Sequence, residues 1–150
     1  EQNTLLTGVD LPDFTSRNRD GNTVNCRYSN IKNHSKEIEK ILSEIEKRGI
    51  LLSKVTLLSP KRIEHSVLRA YDPVLNFIKK GVQHSTIHGF KGLENSIIIL
   101  YDFDEISSIK MQRLLYVGIS RATQELYLLL DKKLEASIKK LIGDNYSKLR

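Results

Sequence analysis

The chain has 150 residues and a mass of 17.2 kDa, with 39 % hydrophobic and 28 % charged residues, which describes one globular domain large enough to bury a real core. No apolar run approaches the ~20 residues of a membrane span, no opening segment resembles a signal peptide, and the lone Cys26 excludes an internal disulfide, so a cytoplasmic location without a metal site is expected. The net charge of +6 is uneven: residues 51–100 hold 7 basic against 3 acidic residues, a surface that would attract a nucleotide or a nucleic-acid backbone or would serve solubility alone.

Residues 1–22 are turn-rich, with Thr7-Gly8, Leu11-Pro12-Asp13 and Arg19-Asp-Gly-Asn22, and are expected to form a linker or a loosely ordered lead-in. A start at Glu rather than Met fits a fragment of something longer or a processed amino terminus. Val24 to Tyr28 alternates as a strand does. Ser35 is the expected N-cap of a helix over 35–48, in which Ile38, Ile41, Leu42 and Ile45 fall on one stripe. Lys47 and Arg48 suit the negative end of its dipole, and Gly49 ends it. Val55 to Leu58 reads as a short buried strand stopped by Ser59-Pro60, Arg62 to Ala70 as a helix, and Pro73 to Lys80 as a short helix closed by Gly81. Val82 to His88 has the alternation of a strand entering a core.

Gly89-Phe-Lys-Gly92 follows, a loop whose two glycines allow close backbone approach and whose lysine suits a small anion such as phosphate. A tight turn with a solvated lysine is the other reading of such a loop. Ser96 to Tyr101 is apolar on both faces, as a central parallel strand is. Asp102, Asp104 and Glu105 at its end are expected to form a solvated loop. A helix over 108–123 would bury Met111, Leu114, Leu115 and Gly118. Arg121, seven residues after Leu114, would lie ~20° from that buried stripe. A guanidinium there needs a phosphate, a carboxylate or the helix's last carbonyls as partner. Gly118 costs about 1 kcal/mol against alanine in a helix, so a close neighbour is expected, with the 89–92 loop as candidate. Leu126 to Leu130 is a further strand, and Lys132 to Ile142 a helix ended by Gly143. Strands alternating with helices give an α/β fold with a mostly parallel sheet of about five strands between helices.

Two stretches taken together are more specific. Thr86-Ile-His-Gly-Phe-Lys-Gly-Leu-Glu94 resembles motif V, and Leu114-Leu-Tyr-Val-Gly-Ile-Ser-Arg-Ala122 motif VI, of UvrD/Rep-like superfamily 1 DNA helicases. In that family both lie in the second, C-terminal RecA-like motor domain, here residues 23–150, of three-layer P-loop NTPase-type architecture. The resemblance implies that ATP with Mg2+ sits in a cleft between two such domains, and that closure of the cleft drives movement along single-stranded DNA. This chain would supply one wall. Arg121 matches the arginine finger that stabilises charge on the transferred phosphoryl group. Gly92 and Glu94 match nucleotide-facing positions, the carboxylate towards the ribose hydroxyls, and Lys91 would support the loop or reach an anion. The phosphate contact of motif IV is either missing or supplied from a shifted position by Lys61 or Arg62, with Arg62 carried forward as the candidate and a surface ion pair as its other reading. Thr86 and His88 match positions that look towards the nucleic-acid backbone, and Tyr116 packs behind the finger.

Departures from the family pattern sharpen these expectations. Only about a dozen residues precede motif V where many relatives insert a large accessory domain, which favours compact members of the family and translocation over strand separation. Lys110 and Met111 replace the acidic pair that often precedes motif VI. No Gly-x-x-x-x-Gly-Lys-Ser/Thr and no apolar strand ending in Asp-Glu occurs, so the phosphate cradle and the Mg2+ ligands are expected on a first motor domain of the same parent chain. The 150 residues alone are expected not to hydrolyse ATP. The alternative is a non-catalytic nucleic-acid- or protein-binding module derived from a helicase domain.

Overall fold

A computed structural model describes residues 23–140. The expectations for the 1–22 lead-in and for the stop at Gly143 lie outside the described residues. In chain order the elements are β1 (Thr23–Ser29), α1 (His34–Lys47), β2 (Val55–Ser59), α2 (Asp72–Lys79), β3 (Gln83–Thr86), β4 (Asn95–Phe103), α3 (Ile109–Ile119) and β5 (Ala122–Asp131). A helix, α4, runs from 135 to the end of the described residues at 140.

The five strands form one all-parallel sheet in the order β1-β5-β4-β2-β3, as the alternation of elements predicts. β4 is its middle strand, with Val55 to Leu58 on one side and Glu125 to Leu128 on the other. Its alternate residues serve different cores. Ile98 and Leu100 pack with Ile87, Phe90, Leu114, Leu115 and Ile119, whereas Ile97, Ile99 and Tyr101 pack with Ile38, Ile41, Ile45, Val74 and Phe77. One face of the sheet is therefore covered by α3 and the segment that follows β3, the other by α1 and α2. A strand covered on both faces has no polar side to show, which is why 97–101 reads as an unbroken apolar run. Burial of each such side chain stabilises by roughly 1.5–3 kcal/mol, so the sheet centre holds most of the cohesion.

Several local expectations are corrected. Ser35 is not an N-cap: α1 starts one residue earlier, after Asn33, and both His34 and Ser35 are buried in its first turn. The helix expected over 62–70 is absent, replaced by a 3-10 turn at Ile63–His65 and a run of turns. Side chains capture its N–H groups: Ser66 Oγ accepts from Leu68 N at 3.1 Å, and Asp102 Oδ1 accepts from Val67 N at 3.1 Å. Asp102 is correspondingly not solvated. It is 1 % exposed, holds a left-handed φ of 71°, and accepts a second hydrogen bond from Ser59 Oγ at 2.6 Å.

α3 ends at Ile119 instead of 123, because residues from Ala122 onward pair with β4 and β1 as β5. Arg121 consequently lies at the helix-to-strand junction and not on the helix stripe. The close neighbour of Gly118 is Leu100 on β4, and not the 89–92 loop. A Cβ at 118 would fall 2.7 Å from Leu100 Cδ1, so the missing side chain lets α3 lie directly on the central strand.

The connection from β3 to β4 positions the site. Thr86 is in register with Ser59 at the carboxyl end of the sheet, and Asn95 is in register with Ala122 at the amino end. Residues 87–94 therefore run back across one face of the sheet as a strap. Ile87 and Phe90 are buried beneath it, and a 3-10 turn at His88–Phe90 is its only regular structure.

Candidate functional site

The strap begins in a tight polar turn. Thr86 Oγ1 accepts from Gly89 N at 3.0 Å, and Ser85 Oγ donates to the Thr86 carbonyl at 2.7 Å. A Cβ at Gly89 would meet Ser85 Oγ at 2.9 Å and Thr86 Oγ1 at 3.1 Å, so a side chain here would have to displace these hydroxyls. His88 is exposed at this end, while partial burial lowers the His84 imidazole below its usual pKa. The Ser59-Pro60-Lys61-Arg62 segment leaves β2 at the same end. Lys61 Nζ lies 3.0 Å from Asp104 Oδ2, and Arg62 is exposed.

The strap's far end is open. Lys91, Gly92, Leu93 and Glu94 are all exposed. Gly92 has φ +80° and nothing within 4 Å of a built Cβ, so glycine serves here for backbone conformation and leaves the main chain approachable. The Leu93 carbonyl accepts from Arg121 Nη1 at 3.3 Å, and Asn95 N donates to the Arg121 carbonyl at 3.1 Å. Two stretches 28 residues apart in sequence thus meet through one side-chain and one main-chain hydrogen bond. Arg121 is only half satisfied by this: its Nε is buried without a hydrogen-bond partner, and among the described residues it forms no ion pair. A guanidinium carries five donors and cannot lose its charge, so this one has unused donor capacity beside an exposed glycine loop.

The structure therefore divides the sequence-derived residues into two groups. Lys91, Gly92, Glu94 and Arg121 gather at the amino end of the sheet. Thr86, His88 and Arg62 sit at the carboxyl end, so Arg62 is not brought to Arg121. Tyr116 is half-buried on α3.

Three features escaped sequence reasoning. Asn95 is a five-bond junction at the amino end, hydrogen-bonded to Ser53, Thr56, Ser96, Arg121 and Thr123. The Ser59–Asp102 pair fixes the loop after β2. Arg48, expected only to face a helix end, forms a two-pronged pair with Glu125 at 3.1 and 2.7 Å, which lowers the Glu125 carboxyl through that hydrogen bond and raises Arg48. Each depends on partners far away in sequence. The one local signal was polarity at the end of an apolar strand, as at Asn95 and Asp102.

Among the described residues no group of three His, Cys, Asp or Glu side chains is placed to hold a metal ion, and no helix is long and apolar enough to cross a membrane. Comparison with known proteins matches residues 82–129 to the family model of the UvrD-like helicase C-terminal domain. That span holds the whole strap, α3 and most of β5. Among solved structures the chain is similar to the C-terminal domain of a possible DNA helicase from Lactobacillus plantarum WCFS1, with a TM-score of 0.54 and 16 % identity over 88 % of this chain and 85 % of that one. The likeness establishes the shared α/β fold. No curated protein matches the chain.

Proposed function

Starting from the UvrD-like helicase C-terminal domain matched by residues 82–129, we propose that this chain is the second motor domain of an ATP-dependent superfamily 1 DNA helicase or translocase. The observation that carries the reading is Arg121: a permanent cation with an unpartnered Nε, set beside the exposed Gly92–Glu94 loop. That arrangement suits a phosphoryl group, which takes two parallel N–H donors from a guanidinium. ATP with Mg2+ would fit it in chemistry: the triphosphate would supply the negative partner that Arg121 lacks, and the metal, held by the partner domain, would neutralise further charge.

In this reading Arg121 turns from the Leu93 carbonyl to the terminal phosphate and stabilises charge as the phosphoryl group transfers. Gly92 lets the main chain approach the nucleotide, Glu94 accepts from the ribose hydroxyls, and Lys91 adds positive charge at the rim. The Mg2+ ligands and the phosphate cradle come from a first RecA-like domain of the same parent chain. Thr86 and His88, at the opposite end of the strap, face single-stranded DNA. Arg62 stands with them, so we assign its phosphate contact to the nucleic-acid side and not to ATP.

The test is single-stranded-DNA-stimulated ATP hydrolysis by the intact parent protein, wild type against Arg121→Ala. A loss of about 10³-fold or more in turnover with nucleotide binding retained is expected for a finger arginine. Unchanged turnover, or no DNA-stimulated hydrolysis in either form, would favour a binding module that kept the fold without the enzyme.

A further inference from the structure

Asn95 opens β4 two residues after the carbonyl that holds Arg121. Its side-chain amide is fully committed towards β2: Nδ2 donates to the Ser53 carbonyl at 3.1 Å and to Thr56 Oγ1 at 2.8 Å. Oδ1 accepts from Ser96 N at 2.8 Å. The main chain of Asn95 is committed in the other direction, towards β5. Its N–H donates to the Arg121 carbonyl at 3.1 Å, and its carbonyl accepts from Thr123 Oγ1 at 3.3 Å.

The β4–β5 ladder pairs Asn95 with Ala122 but shifts register between Asn95 and Ile97, so this corner is offset from the rest of the strand. Past such a shift a single pair leaves the strand end able to twist unless something else holds it. Here the Asn95 amide does so, tying the corner to Ser53 and to the buried Thr56. The main chain of Arg121 hangs on the other side of the same residue.

We propose that Asn95 is the positioning residue for Arg121. It sets the angle at which the Arg121 main chain leaves the amino edge of the sheet, and so where the guanidinium lies relative to the Gly92–Glu94 loop, without touching nucleotide itself. This rests on the reading of Arg121 as the finger. A side chain acting only on the transition state should affect turnover and leave ground-state binding alone.

The experiment measures DNA-stimulated ATP hydrolysis by the intact protein carrying Asn95→Ala, Asn95→Asp or Thr56→Val, and by Asn95→Ala combined with Arg121→Ala. Asn95→Ala is expected to lower kcat about 10- to 100-fold, the range for a misplaced catalytic group, with KM for ATP within about twofold of wild type. Asn95→Asp should do the same, since a carboxylate offers no donor to the Ser53 carbonyl. Thr56→Val keeps the shape of the buried side chain and removes one acceptor, so it tests the same corner with a smaller loss in kcat if the Asn95 variants do not fold. In the Arg121→Ala background, Asn95→Ala should cost nothing further. The inference is overturned if Arg121→Ala is inactive yet Asn95→Ala and Thr56→Val keep wild-type kcat, or if Asn95→Ala costs the same factor with and without Arg121. A wild-type rate in Arg121→Ala alone would instead remove the finger reading, and the positioning role with it.

Discussion

The two ends of the sheet are built on opposite terms. At the carboxyl end, Asp102 is buried and doubly hydrogen-bonded, Ser59 is committed to it, and Lys61 is paired with Asp104. At the amino end, Lys91 and Glu94 are exposed and Arg121 keeps a buried donor without an acceptor. The contrast lies in these charged groups and not in buried polar atoms at large, since Tyr101 Oη near the carboxyl end also lacks a partner: Asp102 and Asp104 are held by the chain, whereas Lys91, Glu94 and the Arg121 Nε are not held by any of the described residues. Stability should therefore be lost at the first end and activity at the second.

The largest expected effect breaks the amino end alone. Arg121→Ala should remove about 10³-fold or more of turnover while the thermal melt of the protein stays near that of wild type. A large drop in the melting temperature would show that Arg121 is structural.

Asp102→Ala should do the reverse. It strips Ser59 Oγ and Val67 N of their buried acceptor, at about 1–3 kcal/mol in urea unfolding for such a loss. Proteolysis should then find the 60–70 loop first. A protein as stable as wild type would mean that these bonds hold nothing.

Between the two ends, Gly118→Ala tests how closely α3 lies on β4. Forcing a methyl against Leu100 costs about 1–3 kcal/mol, which outweighs the ~1 kcal/mol gained in helix propensity. A net stabilisation would show that Leu100 moves aside freely.

The smallest effect concerns Arg48 and Glu125, whose partly exposed pair is worth no more than about 1 kcal/mol after solvent screening. The folded Glu125 carboxyl titrates lower than the unfolded one, so this stability is present above the unfolded carboxylate range and is lost as pH falls through the folded value. Glu125→Gln should therefore flatten the acid limb of the stability–pH curve slightly. An identical limb in both proteins would show that the pair contributes nothing.

Much of the fold is legible in the sequence because it depends on nearest neighbours along the chain. The stripe of Ile38, Ile41, Leu42 and Ile45 dictates α1, and the apolar run through 97–101 dictates a strand buried on both faces. What is not legible depends on distant partners. Residues 62–70 have helical apolar spacing, but Asp102, 35 residues beyond Val67, takes the N–H group a helix would need. The end of α3 is decided by pairing of Ala122 with Asn95, which outweighs a pattern that would otherwise continue. The candidate site divides in the same way. Its loop and its arginine carry recognisable local patterns, whereas the role of Asn95 lies in Ser53 and Thr56, 42 and 39 residues away.

The Leu93 carbonyl is also a competitor. In the proposed reading Arg121 turns from it to a phosphate, so the free energy of that contact is subtracted from the ligand's affinity. Hydrogen bonds to charged groups are worth about 1.5–3 kcal/mol at good geometry, and this one at 3.3 Å is long, so the toll is small. The toll is the same for every ligand and so leaves their ranking unchanged, but it raises the threshold for all of them: in the finger reading, a phosphoryl group that takes two donors from Arg121 offsets it more fully than a single acceptor does.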